Sequence, residues 1–276
     1  MSTIKSLKNI LKEAEALVIG AGAGLSTAAG FQYDKETFLK YFQYMHDAYG
    51  YEDMYTAGFH HFQSSEEKWA YWAKFIDLNR YESGPKALYQ ELYQFVKDKN
   101  YFVITTNVDH QFQLAGFDKQ RLFYTQGDYG LFQCSKACHL KTYDNERSIK
   151  TMIEQTKNHR IPTELIPRCP VCHEEMETNL RKDDFFVQDQ GWEEAKKRYM
   201  QFIQENKNKK IVFLELGVGY NTPGIIKIPF MQMTYQFQNA WYICVNQNDM
   251  FIPKEIKDKT IFIKEDLKSF IKTLNS

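Results

Sequence analysis

The chain alternates short, almost wholly apolar runs with longer stretches in which apolar residues recur every three or four positions. Ala16-Leu17-Val18-Ile19 is the first apolar run, and 16–20 reads as a buried strand. Further strands are expected at 101–105, 121–125, 210–217, 241–246 and 260–264. Ile4, Leu7, Ile10 and Leu11 share one face of a helix over 4–15, and Leu88, Leu92 and Val96 share one over 86–98. Helices are also expected at 192–205 and 267–274. Strands alternating with helices imply a parallel sheet covered on both faces. Two stretches break the rhythm. Residues 37–80 are rich in Tyr, Phe, Trp and His and read as an inserted helical lobe. The polar stretch from Gly127 to about Gln190 holds four of the five cysteines and reads as a small metal-held lobe. The fold class expected is α/β, a Rossmann-like parallel sheet over about 1–36, 81–127 and 191–276, with a helical insertion near 37–80 and a zinc-binding insertion near 128–190.

Composition narrows the choice of partners. With 35 basic and 35 acidic residues the net charge is zero, so no global field draws the chain to nucleic acid or to a membrane surface. The first fourteen residues lack a signal-peptide core, and no apolar run is long enough for a bilayer. A cytoplasmic protein is expected. Few cysteines, four of them paired by spacing, favour a metal over disulfides.

Chemistry gathers at the ends of the expected strands. The first runs into Gly20-Ala21-Gly22-Ala23-Gly24-Leu25-Ser26, neither the dinucleotide fingerprint nor a P-loop. Read alone it is equally a plain tight turn between strand and helix. Thr105-Thr106-Asn107-Val108-Asp109 closes the second strand, Gln126-Gly127 the third, and Gly217 and Val245-Asn246 two more. Parallel sheets bind ligands beyond the carboxyl ends of their strands. An Asn/Asp cap explains any one of these ends; several facing one crevice ask for a ligand. Cys134-x3-Cys138 and Cys169-Pro170-Val171-Cys172 read as a tetrathiolate zinc site of purely structural role, since four thiolates leave no open position. A vacant site, or His139 or His173 as substitute ligands, stays open. Cys244 reads as a core residue, His60-His61 as a surface feature, and the aromatics over 38–75 as mostly core.

In this order the motifs resemble the sirtuin family: Gly20 to Ser26, Thr105 to Asp109, Gln126-Gly127, the two cysteine pairs, Gly217 to Thr222, Val245-Asn246 and Asp266-Leu267. The resemblance implies NAD as co-substrate and structural zinc on Cys134, Cys138, Cys169 and Cys172. It implies that Ala21, Gly22 and Ser26 hold the phosphates and ribose, and Asn107 and Asp109 the nicotinamide end. Gly217, Val218, Asn246, Asp266 and Leu267 take the adenosine half, with Gly20, Tyr33, Thr105 and Gln126 completing the cofactor set and Asn107, Asp109 and Gln126 the catalytic one.

The chain departs from the family in three places. Gln126 stands where the family has a histidine base, and an amide cannot take a proton at neutral pH. The family's P-D-F-R becomes Gln32-Tyr33-Asp34-Lys35, leaving Tyr33 or Phe38 to cover the nicotinamide. Phe185-Phe186-Val187 is followed by Gln188, without the usual acyl-lysine-seating pattern. These departures resemble the macrodomain-linked (class M) sirtuins. That subfamily implies NAD-dependent mono-ADP-ribosylation of a lipoylated carrier protein related to the glycine-cleavage H protein, in an oxidative-stress response, with a macrodomain hydrolase as a partner. Asp109 or Asp128 could assist as base, Asp128 being otherwise a solvated loop acid. The alternatives are a lysine deacylase and a non-catalytic NAD or ADP-ribose sensor.

Overall fold

The computed structural model describes residues 2–31 and 35–275. Two compact units are formed, each from separated pieces of chain: residues 1–30, 85–126 and 190–276 make the first, and residues 31–84 and 127–189 the second.

The first unit is a six-stranded parallel sheet. Its strands are β1 (Ala16–Ala21), β2 (Tyr101–Thr105), β3 (Leu122–Tyr124), β7 (Ile211–Leu216), β8 (Trp241–Val245) and β9 (Thr260–Ile263), in the order β3-β2-β1-β7-β8-β9. All six expected strands form. β1, β2 and β7 are buried along their whole length, the reason their sequences run apolar without alternation. Successive side chains feed opposite cores: Val212, Leu214 and Leu216 of β7 enter one, Ile211 and Phe213 the other.

The first core is closed by α1 (Ser2–Glu13), α2 (Ala23–Ala28), α6 (Ala87–Val96), α7 (Gln111–Leu114) and α11 (Leu267–Asn275). Leu267, Phe270 and Ile271 seat α11 there, each burial contributing about 1.5–3 kcal/mol. The opposite core is closed by α9 (Gln190–Asn206) and α10 (Lys227–Gln236). Gly20 leaves room for α10: a Cβ there would lie 2.4 Å from Ile226 Cγ2 and 2.5 Å from Phe230.

This second core contains a polar knot. Lys227 donates to Glu215 in an ion pair that is almost wholly buried. Tyr242 Oη donates to Glu215 Oε2 at 2.5 Å and Cys244 Sγ to Oε1 at 3.3 Å. Cys244 is the core residue expected, and burial, then the Glu215 charge, pushes its thiol up.

In the second unit, α3 (Lys35–Tyr49), α4 (Met54–Ala57), α5 (Ser65–Ile76) and α8 (Glu146–Gln155) pack with an antiparallel sheet of β4 (Gly127–Cys134), β5 (Tyr143–Asp144) and β6 (Met176–Leu180), ordered β5-β4-β6. Ser64 caps α5 by accepting the Glu67 N–H at 3.3 Å. The aromatic and cysteine-bearing segments share one interior, where the Trp69 ring meets Phe132 edge-on at 5.1 Å. Residues 127–190 are therefore more regular than their polar sequence suggests. None of the described helices is long and apolar enough to cross a membrane.

Candidate functional site

The glycine turns after β1 and β7 interlock. Gly22 N donates to Leu216 O at 3.1 Å, and Gly24 N to Gly217 O at 2.9 Å. Gly217 is in the left-handed region (φ 62°), and its own N–H donates to Val245 O at 3.0 Å. A Cβ on Gly22 would lie 2.7 Å from the Val218 Cα, and one on Gly24 2.8 Å from the Gly217 Cα. The glycines are thus set by backbone touching backbone, and two of the turn's N–H groups are spent inside the protein.

Beside this junction, four polar side chains from three elements converge. Ser26 on α2 donates from Oγ to Asp109 Oδ2 at 2.6 Å. Tyr89 on α6 donates to the same oxygen at 3.4 Å, lies 3.3 Å from Ser26 Oγ, and accepts from Asn107 Nδ2 at 3.2 Å. Asp109 Oδ1 accepts the Gln111 N–H at 3.1 Å, across His110 in the left-handed region (φ 63°). Thr105 holds the base of the loop: its Oγ1 donates to Ala21 O and accepts the Asn107 N–H, both at 3.0 Å. All five side chains are buried. Burial, then the Asp109 charge, pushes the Tyr89 phenol well above its ordinary value, so it acts as a neutral donor. Tyr89 is the member that the sequence hides. It sits next to Leu88 on the apolar face of a helix and reads as core; the available signal is that a buried phenol needs a partner.

Gln126 follows β3. Its backbone is fixed through Thr125, whose N–H and Oγ1 donate to Thr105 O at 2.9 and 3.0 Å and whose carbonyl accepts from Trp192 Nε1 at 3.2 Å. Among the described residues Gln126 Oε1 is buried without a hydrogen-bond partner. A buried acceptor left open is uncommon and fits a donor brought by a ligand, such as a ribose hydroxyl.

At the other end of the sheet, Asn246 Nδ2 donates to Val218 O at 3.1 Å, pinning the second glycine turn. Asp266 Oδ1 caps α11, accepting from Lys268 N and Ser269 N at 2.9 and 3.2 Å. The Val218 and Leu267 side chains lie in the cores.

Two expectations change. Asp128 is not a solvated loop acid: it is buried, with Oδ1 accepting from Arg80 Nε at 2.9 Å and Gly130 N at 2.7 Å. A carboxylate held by a guanidinium is a poor proton acceptor. Phe38 is fully buried and stacked on Phe42 at 5.6 Å, so it is core and not a nicotinamide cover. Tyr33 lies outside the described residues.

In the second unit, β4 delivers Cys134 and the hairpin before β6 delivers Cys169 and Cys172. The four Sγ atoms of Cys134, Cys138, Cys169 and Cys172 lie within 4.8 Å of one another. Val171 N donates to Cys169 Sγ at 3.4 Å. Ala137, left-handed at φ 46°, absorbs the extra residue of the Cys134-x3-Cys138 turn. Burial raises the Cys169 thiol, but N–H groups of Cys172 and Val171, with the neighbouring thiols, outweigh it and bring the group down to about 6. Four convergent thiols with backbone donors fit a tetrahedral zinc ion. His173 is exposed beside the knuckle, whereas His139 Nδ1 is 3.1 Å from Cys138 Sγ.

No protein-family model matches the chain. A protein ADP-ribosyltransferase of Staphylococcus aureus (strain Mu50 / ATCC 700699) is 38% identical over 268 residues, 97% of this chain and 85% of that protein. A probable bifunctional ADP-ribose hydrolase/ADP-ribosyltransferase of Fusarium oxysporum f. sp. cubense is 30% identical over 230 residues, 79% of this chain but 38% of that protein. Among solved structures, a sirtuin from work on substrate affinity superimposes with a TM-score of 0.60 at 20% identity, covering 98% of this chain and 97% of that one. Sir2 with a p53 peptide and NAD+ gives 0.56 at 18% identity, covering 98% and 95%. The fold is the sirtuin fold, and the chain belongs to the protein ADP-ribosyltransferases that share it.

Proposed function

We propose that the protein transfers a single ADP-ribosyl group from NAD to a protein acceptor, releasing nicotinamide, and that the acceptor is a lipoylated carrier protein of the glycine-cleavage H type. The observation that carries the choice of reaction is Gln126, whose buried, unpaired Oε1 can hold a ribose hydroxyl but cannot take its proton. Deacylation needs that hydroxyl driven onto an acyl intermediate, and general-base help is typically about 10²–10⁴-fold. Direct attack by an acceptor on the ribose carbon that loses nicotinamide does not depend on it. In this reading Ala21, Gly22 and Ser26 hold the phosphates and ribose, Asn107 and Asp109 the nicotinamide end, and Gly20, Thr105 and Gln126 complete the cofactor set. Gly217, Val218, Asn246, Asp266 and Leu267 take the adenosine half. Zinc on the four cysteines supplies folding energy to the second unit and no chemistry.

We assign a macrodomain hydrolase as a partner; the Fusarium relative, named for both ADP-ribose hydrolase and ADP-ribosyltransferase, supports a hydrolase working beside the transferase. Cysteines gathered to hold a metal suit a reducing compartment, and we assign the reaction to the cytoplasm. The test is incubation with labelled NAD and the carrier protein with and without lipoate. Label on the lipoylated carrier alone supports the proposal. Robust deacylation of acetyl- or lipoyl-lysine peptides, with no label on the carrier, overturns it in favour of a deacylase.

A further inference from the structure

The four thiols are not equivalent. Cys134 and Cys169 are buried, Cys172 is half-buried, and Cys138 is exposed. Cys138 is thus the sulfur most open to solvent. Its neighbour His139 faces it, with Nδ1 3.1 Å from Cys138 Sγ and 3.8 Å from Cys169 Sγ. The other ring nitrogen, Nε2, lies 2.8 Å from Tyr143 Oη. Tyr143 is not free to wander, because β5 places it opposite Phe132 in the ladder with β4.

We infer that His139 is an outer-sphere clamp on the zinc site: the Tyr143 hydroxyl donates to Nε2, and the Nδ1–H donates to the Cys138 thiolate. The tautomer follows from chemistry, since a thiolate can only accept and the phenol hydroxyl satisfies the remaining nitrogen. A zinc ion with four thiolates carries excess negative charge. An N–H aimed at the exposed sulfur disperses part of it, making that sulfur less open to protonation and electrophiles. Partners of this kind, which orient and tune a ligand without touching the metal, are typically worth about 10–100-fold in metal affinity. Tyr143 acts through His139 and orients it. The pair therefore sets how readily the site surrenders its metal.

The inference rests on the four thiols holding zinc, and the experiment separates the two. Zinc content is measured on purified protein, then the rate of zinc transfer to a chromogenic chelator, for wild type, H139A, H139N and Y143F. We expect equal zinc content throughout. H139A should release zinc about 10–100-fold faster, and Y143F at an intermediate rate. H139N, whose amide nitrogen reproduces the Nδ1 donor, should stay close to wild type. Wild type without zinc would defeat the metal site itself. Zinc in the wild type with H139A releasing it at the same rate, or H139N releasing it as fast as H139A, would overturn the clamp. H139A purifying without zinc would make His139 a ligand and overturn it as well. If H139A fails to fold, H139N and Y143F still decide.

Discussion

Ser26 Oγ and Asp109 Oδ2 lie 2.6 Å apart, joining the helix that follows the first glycine turn to the loop that closes β2. The same carboxylate oxygen also takes the Tyr89 hydroxyl. Because two donors share one acceptor, S26A and Y89F should not be independent. Each alone should lower kcat/KM for NAD about tenfold, the scale of one hydrogen bond to a charged group. The double variant should lose less than the product of the two. Strict multiplication of the losses in a double-mutant cycle would show that the three groups do not work as one.

Asn107→Ala should abolish transfer and leave the melting temperature within a few degrees of wild type. The side chain donates to Tyr89, but its backbone remains held by Thr105. Wild-type activity in this variant would remove Asn107 from the site.

Gln126→Ala should weaken NAD binding and transfer together, since it removes an acceptor without disturbing the Thr125 anchors. Gln126→His adds a group that titrates near pH 6.5. We expect a new inflection there in the pH profile of transfer, but no strong deacylation, because the 185–188 stretch also departs from the deacylase pattern. Assays of both variants on carrier protein and acyl peptides check this; vigorous deacylation by Gln126→His would mean that the missing base alone separates the activities.

Lys227 and Glu215 form an ion pair that is almost wholly buried, and breaking one side leaves a charge without its partner. K227M should cost about 3–5 kcal/mol in urea unfolding, while K227M with E215L should recover most of that loss. If the double variant is as unstable as the single, the Tyr242 and Cys244 hydrogen bonds to Glu215 matter more than the charge pairing.

Much of this molecule can be read from its residues. The six parallel strands follow from runs such as Ile211–Leu216, buried on both faces and therefore apolar without interruption. The cysteine spacing led to four thiols that do converge. Other features were out of reach because they depend on long-range contacts. Tyr89 looks like core until Asp109 arrives from twenty residues away. Helix α10 carries Pro229 in its first turn, follows Gly224, and buries a lysine, so its period is broken in the sequence. Asp128 looks solvated because Arg80, its partner, lies 48 residues back. The sheet β5-β4-β6 is short and irregular, with a register shift between Gly127 and Phe132, and its alternation is correspondingly faint.

The interlock of Gly22 and Gly24 with Gly217 also has a bearing on inheritance. The two turns are almost two hundred positions apart, yet the atoms nearest to a Cβ on either Gly22 or Gly24 are backbone atoms, which cannot be trimmed in compensation. Neither can acquire bulk while the other stays as it is. A chimaera with a crossover anywhere between them inherits one turn from each parent. It keeps the junction only when both parents have retained the missing side chains. The two turns of the first unit are therefore bound to change as a pair or not at all.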